Sequence, residues 1–164
     1  VRRFNQLYEP VLVEPKALVG EIPRLVGLDG NHKMSKSMGN AIALDAANDE
    51  VKERIKGAKT DPARIHKTDP GQPEICPIYA YHQAFRKDGI YESCTRGKIG
   101  CVACKQKIVE SINELLEPIR ERRVEYENHP KRIDEILISG TEKARQEAKV
   151  TMEQVREAMG LDYF

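Results

Sequence analysis

The sequence predicts a mainly α-helical chain whose first 45 residues belong to a different, strand-and-loop architecture. Three observations lead there. From Cys101 onward apolar residues recur every three, four or seven positions, the period of one helix face. Before Asp45 the chain reads as short extended pieces and glycine turns, with Val11-Leu12-Val13 set between Pro10 and Pro15. Composition agrees: of 164 residues, 32% are charged and 40% apolar, which suits a soluble, helix-rich protein with room for a real core.

Taken in order, residues 1–8 read as the end of a helix, and 11–13 as an extended segment. Ile22-Pro23-Arg24-Leu25 leads through Gly27 and Gly30 into a polar loop. Asp45 is the expected N-cap of a helix over about 46–57 that puts Ala46, Val51 and Ile55 on one face. Pro62, Pro70, Gly71, Pro73 and Pro77 break residues 59–77 into a loop with a turn of helix at most. Tyr79 to Phe85 is helical, and Gly89, Gly97 and Gly100 predict a compact loop after it. A long amphipathic helix then carries Cys104, Ile108, Ile112, Leu115, Ile119 and Tyr126, with Pro118 expected to bend or interrupt it and His129-Pro130 ending it. A shorter helix holds Ile133, Ile136 and Leu137. Ser139-Gly140-Thr141 breaks and restarts the chain. The last helix aligns Ala144, Ala148, Met152, Val155 and Met159 before Gly160 stops it.

The net charge of +1 provides no global basic field, so any nucleic-acid contact has to come from local patches. No apolar run approaches the length of a membrane span. The chain opens Val1-Arg2-Arg3-Phe4, with neither a starting Met nor an apolar leader, and reads as a piece of something longer.

Two motifs carry chemistry. The pentad Lys33-Met34-Ser35-Lys36-Ser37 follows Gly30-Asn31-His32 and precedes Met38-Gly39-Asn40. It is too polar for a buried strand and too short for a helix, so it reads as a mobile cationic loop. Ammonium groups serve as point charges for phosphate, while hydroxyls and loop amides add donors. The bland alternative is an ordinary lysine/serine surface loop.

The second motif is the cysteine set 76, 94, 101 and 104, spaced C-x17-C-x6-C-x2-C. Such spacing favours metal or cluster ligation over disulfides. Cys101 and Cys104 can clamp one centre from the start of a helix, Cys94 reaches it across a glycine-rich loop, and Cys76 closes a four-thiolate site. Tetrahedral zinc and a 4Fe-4S cluster both fit, and free buried cysteines are the alternative. Around them Arg86, Lys87, Arg96, Lys98, Lys105 and Lys107 face only Asp88 and Glu92. This is either a cationic rim for RNA phosphate or a solvated face. A second basic group, Arg120, Arg122, Arg123, Lys131 and Arg132, is diluted by glutamates and reads as a solvated helix face.

The pentad resembles the ATP-handling loop of class I aminoacyl-tRNA synthetases. Thr60-Asp61-Pro62, Asp69-Pro70-Gly71, the run Leu116 to Arg123 and Ala158-Met159-Gly160-Leu161 extend the resemblance, in order, to the tryptophanyl-tRNA synthetases. It implies that residues 1–45 close a Rossmann-like α/β catalytic domain and that residues 46–164 form a helical anticodon-binding domain. It further implies that Lys33 and Lys36 act in the transition state. Ser35 and Ser37 would orient phosphates, Met34 would lie near the adenine, and Ile22 would pack beside the nucleotide. The cysteine set resembles the 4Fe-4S ligands of a bacterial subset of that family, with zinc as the alternative. The first gap is shorter here, and the shortening falls in the Arg86–Glu92 region.

The implied partners are ATP with Mg2+, tryptophan and tRNA(Trp), in a cytoplasmic homodimer. Arg96, Lys98 and Lys105 are the candidate RNA contacts. The family's His-x-Gly-His loop is missing, since His32, His66, His82 and His129 form no such pattern. The chain alone is therefore expected not to aminoacylate. A non-enzymatic metal- or cluster-containing nucleic-acid-binding module, a tyrosyl-type synthetase and a recruited paralogue stay open.

Overall fold

The computed structural model describes residues 1–22, 24–85 and 89–161. Pro23 of the Ile-Pro pair, Arg86 and Lys87 of the basic rim, and Asp88 that faces it, lie outside the described residues. Six α-helices follow in order among the described residues: α1 (Arg2–Leu7), α2 (Asn48–Gly57), α3 (Pro77–Phe85), α4 (Ile90–Thr95), α5 (Cys101–Asn128) and α6 (Pro130–Ala158). Single 3-10 turns stand at Lys36–Met38 and Pro73–Ile75. The protein is mainly α, as its periodicity predicts. None of its helices is long and apolar enough to cross a membrane among the described residues.

No strand forms among the described residues; Val26 and Lys33 make one isolated antiparallel bridge. Residues 11–13, read as an extended segment, pair with no neighbouring strand among the described residues. Both backbone groups of Leu12 go to the Asn5 side chain, which donates to Leu12 O (2.6 Å) and accepts from Leu12 N–H (3.1 Å).

The chain divides into two compact units, Val1–Leu18 with Glu125–Phe164, and Val19–Val124. In the first, α6 has no buried residue. It runs unbroken through Ser139-Gly140-Thr141, where a break was expected. A glycine in a helix costs only about 1 kcal/mol, and Ser139 Oγ donates back to Ile136 O (3.3 Å). The stop is the expected one: Gly160 at φ +68° lets Gly160 N–H reach Glu157 O (2.9 Å) and Leu161 N–H reach Arg156 O (2.8 Å).

The second unit holds the core. Val51 and Ile55 from α2, Ile78 and Tyr81 from α3, and Ile108, Val109, Ile112 and Leu116 from α5 pack into one cluster. Each fully buried aliphatic side chain contributes about 2 kcal/mol. The predicted α5 stripe is rotated at its distal end, where Leu116 is buried while Leu115 and Ile119 are exposed. Pro118 does not interrupt α5. It and Glu114, whose carbonyl loses its helical partner, both lie on the exposed side, where water can serve that oxygen. Asp45 is not the cap of α2, which begins after Ala47; Asp45 instead pairs with Arg123 (2.7 Å). Helix α4 replaces the compact loop expected after residue 89.

Candidate functional site

The lysine loop is built as a braced turn. Backbone bonds Gly27 N–H to His32 O (2.7 Å) and Met34 N–H to Leu25 O (3.2 Å) join its entry limb to residues 25–27. Asn40 closes it. The side chain of this buried residue accepts from Ser35 N–H (2.8 Å) and donates to Lys33 O (3.3 Å), while its own carbonyl accepts from Leu28 N–H (3.0 Å). Gly27 makes room for it: a Cβ there would stand 2.1 Å from Asn40 Nδ2. On the exit limb Arg54 of α2 donates to Gly39 O (3.3 Å) and Ala41 O (3.0 Å), and Gly39 turns the chain at φ +64°.

Within this frame Lys33 and Lys36 are exposed, and neither ammonium meets a carboxylate among the described residues. Ser35 and Ser37 lie hydroxyl to hydroxyl at 3.0 Å. Met34 packs against the core and so anchors the loop between its two lysines. Ile22 is exposed. A surface able to take a polyphosphate thus sits on a fixed base. Asn40 was not singled out from the sequence, although Gly-Asn directly after a lysine loop is the available signal. Asn40→Ala takes the side-chain partners from the half-buried Ser35 N–H and from Lys33 O, and is expected to destabilise the chain by about 1 kcal/mol in urea denaturation.

The four cysteines approach one another from three places. Cys76 precedes the first turn of α3 and its carbonyl accepts from Tyr79 N–H (3.0 Å); Cys94 lies in α4, and Cys101 and Cys104 in the first turn of α5. Glycines permit the approach. A Cβ on Gly71 would lie 2.5 Å from Cys94 Sγ, and one on Gly97 would lie 2.2 Å from Thr68 O. Asp61 braces the surrounding loop, accepting from Ala63 N–H (2.9 Å) and Gln72 N–H (2.8 Å).

Arg64, not anticipated from the sequence, reaches into this group. Its guanidinium donates to Lys67 O and Ile99 O (2.6 Å each) and lies 3.7 Å from Cys94 Sγ and 4.0 Å from Cys101 Sγ. Its Nε is buried without an acceptor. His82 is buried beneath, with Nε2 3.2 Å from both Cys104 Sγ and Cys104 O.

Burial, reinforced by the other three cysteines, pushes the Cys104 thiol up to about 12. Burial also raises Cys94, with Arg64 opposing. Crowded thiols of this kind stay protonated until a cation compensates them. Among the described residues no group of three or more His, Cys, Asp or Glu side chains is drawn close enough to hold a metal ion. The donor chemistry nevertheless fits a thiophilic centre: four soft sulfurs, helix starts under three of them, and a guanidinium beside two.

The candidate RNA contacts divide. Lys98 is exposed, and Arg96 is exposed with a loose pair to Glu92 (3.8 Å). Lys105 caps the end of α2, donating to Lys56 O (2.8 Å) and Ala58 O (2.7 Å), and burial lowers its pKa. Two of its three protons are therefore committed.

Comparison with known proteins follows this geometry. The family model for tRNA synthetases class I (W and Y) matches residues 1–117. The tryptophan–tRNA ligase of Aquifex aeolicus is 47% identical over 98% of this chain and 42% of its own length. That of Thermotoga maritima is 44% identical over 98% of this chain and 50% of its own. The crystal structure of tryptophanyl-tRNA synthetase from Campylobacter jejuni, complexed with ADP and tryptophan, is similar with a TM-score of 0.73 at 28% identity. That likeness covers 98% of this chain and 51% of the other. The chain thus spans about half the length of the relatives it matches. With residues 1–117 of its 164 matched, the chain belongs to the class I tRNA synthetases of the W and Y group.

Proposed function

We propose that the chain supplies the ATP-handling lysine loop and the RNA-binding helices of a tryptophan–tRNA ligase. Residues 1–45 would close its Rossmann-like catalytic domain and residues 46–164 would form its anticodon-binding part. The observation that carries this is the exposed Lys33/Lys36 pair on a turn braced by Asn40 and Arg54.

Adenylation attacks the α-phosphate of ATP and expels pyrophosphate, so negative charge grows on the bridging oxygen and the leaving group. Two ammonium groups beside the β- and γ-phosphates stabilise that change more than they stabilise bound ATP, with Mg2+ sharing the charge. Ser35, Ser37 and loop amides orient the phosphates. Met34 and Ile22 border the nucleotide side. Met34's anchorage lets the flanking lysines move while the loop base stays fixed. Tryptophan would bind in the part of the ligase outside this chain, and the intact enzyme would be a cytoplasmic homodimer.

Cys76, Cys94, Cys101 and Cys104 would hold a 4Fe-4S cluster, or zinc in its place, which ties the starts of α3 and α5 to the end of α4. Arg64 would offset the negative charge of the loaded centre. Arg96 and Lys98, with the remaining proton of Lys105, would meet tRNA phosphates.

Pyrophosphate exchange tests the reading. The intact ligase should exchange in response to tryptophan, and the 164-residue chain alone should not. Exchange driven by tyrosine, or tryptophan-dependent turnover by the isolated chain, would overturn it.

A further inference from the structure

Residues 25–30, the arm that pairs with the entry limb of the lysine loop, also lie along α3. Two contacts four residues apart make the junction. Pro77 is the first residue of α3, and a Cβ on Gly30, at φ +75°, would stand 2.7 Å from its Cγ. One helical turn on, Tyr81 donates its phenol O–H to Val26 O (2.7 Å). Positions i and i+4 share one helix face, so α3 presents a single edge to this arm. The chain that leaves α2 ties the arm as well, Lys59 N–H donating to Leu28 O (3.1 Å).

Tyr81 is fully buried, and a buried phenol needs an acceptor in any fold. The carbonyl it takes is the informative part. Val26 faces Lys33 in an antiparallel bridge. The bonds on either side of that bridge are Gly27 N–H to His32 O and Met34 N–H to Leu25 O, so Val26 and Lys33 oppose each other as a non-hydrogen-bonded pair. In such a pair each residue's own N–H and C=O point away from its partner. The Val26 carbonyl therefore faces outward from the loop, and the Tyr81 hydroxyl holds it there. The phenol fixes the arm from one side, and Lys33 stands on the other. Burial first, and the Asp29 carboxylate second, raise the pKa of Tyr81, which keeps its hydroxyl a donor.

We infer that Tyr81 is a positioning residue for adenylation: its hydroxyl fixes Val26, Val26 fixes the backbone of Lys33, and the Lys33 ammonium is thereby aimed at the polyphosphate. Buried as it is, Tyr81 meets no substrate and acts through Lys33. The inference rests on the proposal that the lysine loop handles ATP, and it names the residue that sets the loop's geometry. Removing the hydroxyl leaves the ring in the core beside Phe85, so packing is kept. What changes is the freedom of the arm to shift against α3. A small displacement of Lys33 from the departing pyrophosphate slows the reaction more than it weakens ATP binding, because that charge develops in the transition state.

The test measures tryptophan-dependent pyrophosphate exchange by the intact ligase, with melting temperature recorded for every variant. Tyr81→Phe is expected to lower kcat by about fivefold to tenfold while KM for ATP changes by less than about twofold. Ile112→Val, on α5 in the same core cluster, is the control for loosened packing; it should lower the melting temperature and leave kcat at the parent value. Tyr81→Phe added to Lys33→Ala should slow exchange by less than about twofold further, since the side chain it positions is gone. A parent kcat in Tyr81→Phe overturns the inference. An equal kcat loss in Ile112→Val also overturns it, by reducing Tyr81 to core packing. Losses that multiply in the double variant overturn it too, by placing Tyr81 on a route that bypasses Lys33. Parent-rate exchange in Lys33→Ala overturns the ATP-loop proposal and this inference with it. A slow Lys33→Ala beside a normal Tyr81→Phe leaves that proposal standing and removes only the role of Tyr81.

Discussion

Replacing Lys36 with alanine in the intact ligase lowers tryptophan-dependent pyrophosphate exchange by about 10²–10³-fold. The reason lies in where the charge goes. Lys36 stands in an exposed 3-10 turn and meets no carboxylate among the described residues, so its charge has no partner to lose when the side chain is removed. Removal therefore leaves folding stability within about 0.5 kcal/mol. The loss falls on the transition state, where the departing pyrophosphate gathers charge: kcat drops while KM for ATP changes little. Lys33→Ala should behave similarly. Lys33 also offers its carbonyl to Asn40 and bridges Val26, but those are backbone contacts that alanine keeps. A Lys36→Ala enzyme that adenylates at the wild-type rate would remove the loop from the reaction.

Cys104→Ser should empty the thiol centre. Serine is a poor ligand for a thiophilic centre, and the remaining three sulfurs lose a partner that packs against the core. Where a centre ties elements together, its binding free energy is folding free energy. The variant should therefore lose bound metal and at least about 2 kcal/mol of stability, well beyond a surface substitution. Metal analysis and denaturation of the anaerobically prepared protein measure both. A visible charge-transfer band in the parent identifies a cluster, and a colourless zinc protein identifies the alternative. Full metal content in Cys104→Ser would overturn the four-thiolate site itself.

Features read well from sequence are those carried by residue type at short range. The lysine pentad reads as a polar loop because two cations and two hydroxyls crowd between glycines, and Lys33 and Lys36 do stand exposed at a turn. The cysteine spacing announces convergence because C-x2-C places two thiols in one helical turn, and the core face of α5 begins where the period puts Ile108 and Ile112. Local competition was harder to read. Asp45 is a good cap by type, yet Arg123, remote in sequence, claims it. Pro118 and Gly140 are breakers by type, yet neither stops its helix, since each removes one local advantage from an element of 28 or 29 residues. Leu115 and Leu116 are equivalent by type, and the choice between them depends on how α5 is rotated against α2 and α3.

The sequence by itself determined the helical class, the lysine loop and the four thiols, because spacing and side-chain chemistry along a short stretch suffice for these. Only the tertiary structure decided what supports them. Asn40 became the brace of the loop because Gly27, thirteen positions earlier, leaves room for its amide. Arg64 entered the thiol group because carbonyls of Lys67 and Ile99 hold its guanidinium there. Lys105, cationic like its neighbours, was drawn to the end of α2. In each case at least one partner is remote in sequence, Leu28 for Asn40, Ile99 for Arg64 and Lys56 for Lys105, and close packing supplies it only once the chain has folded.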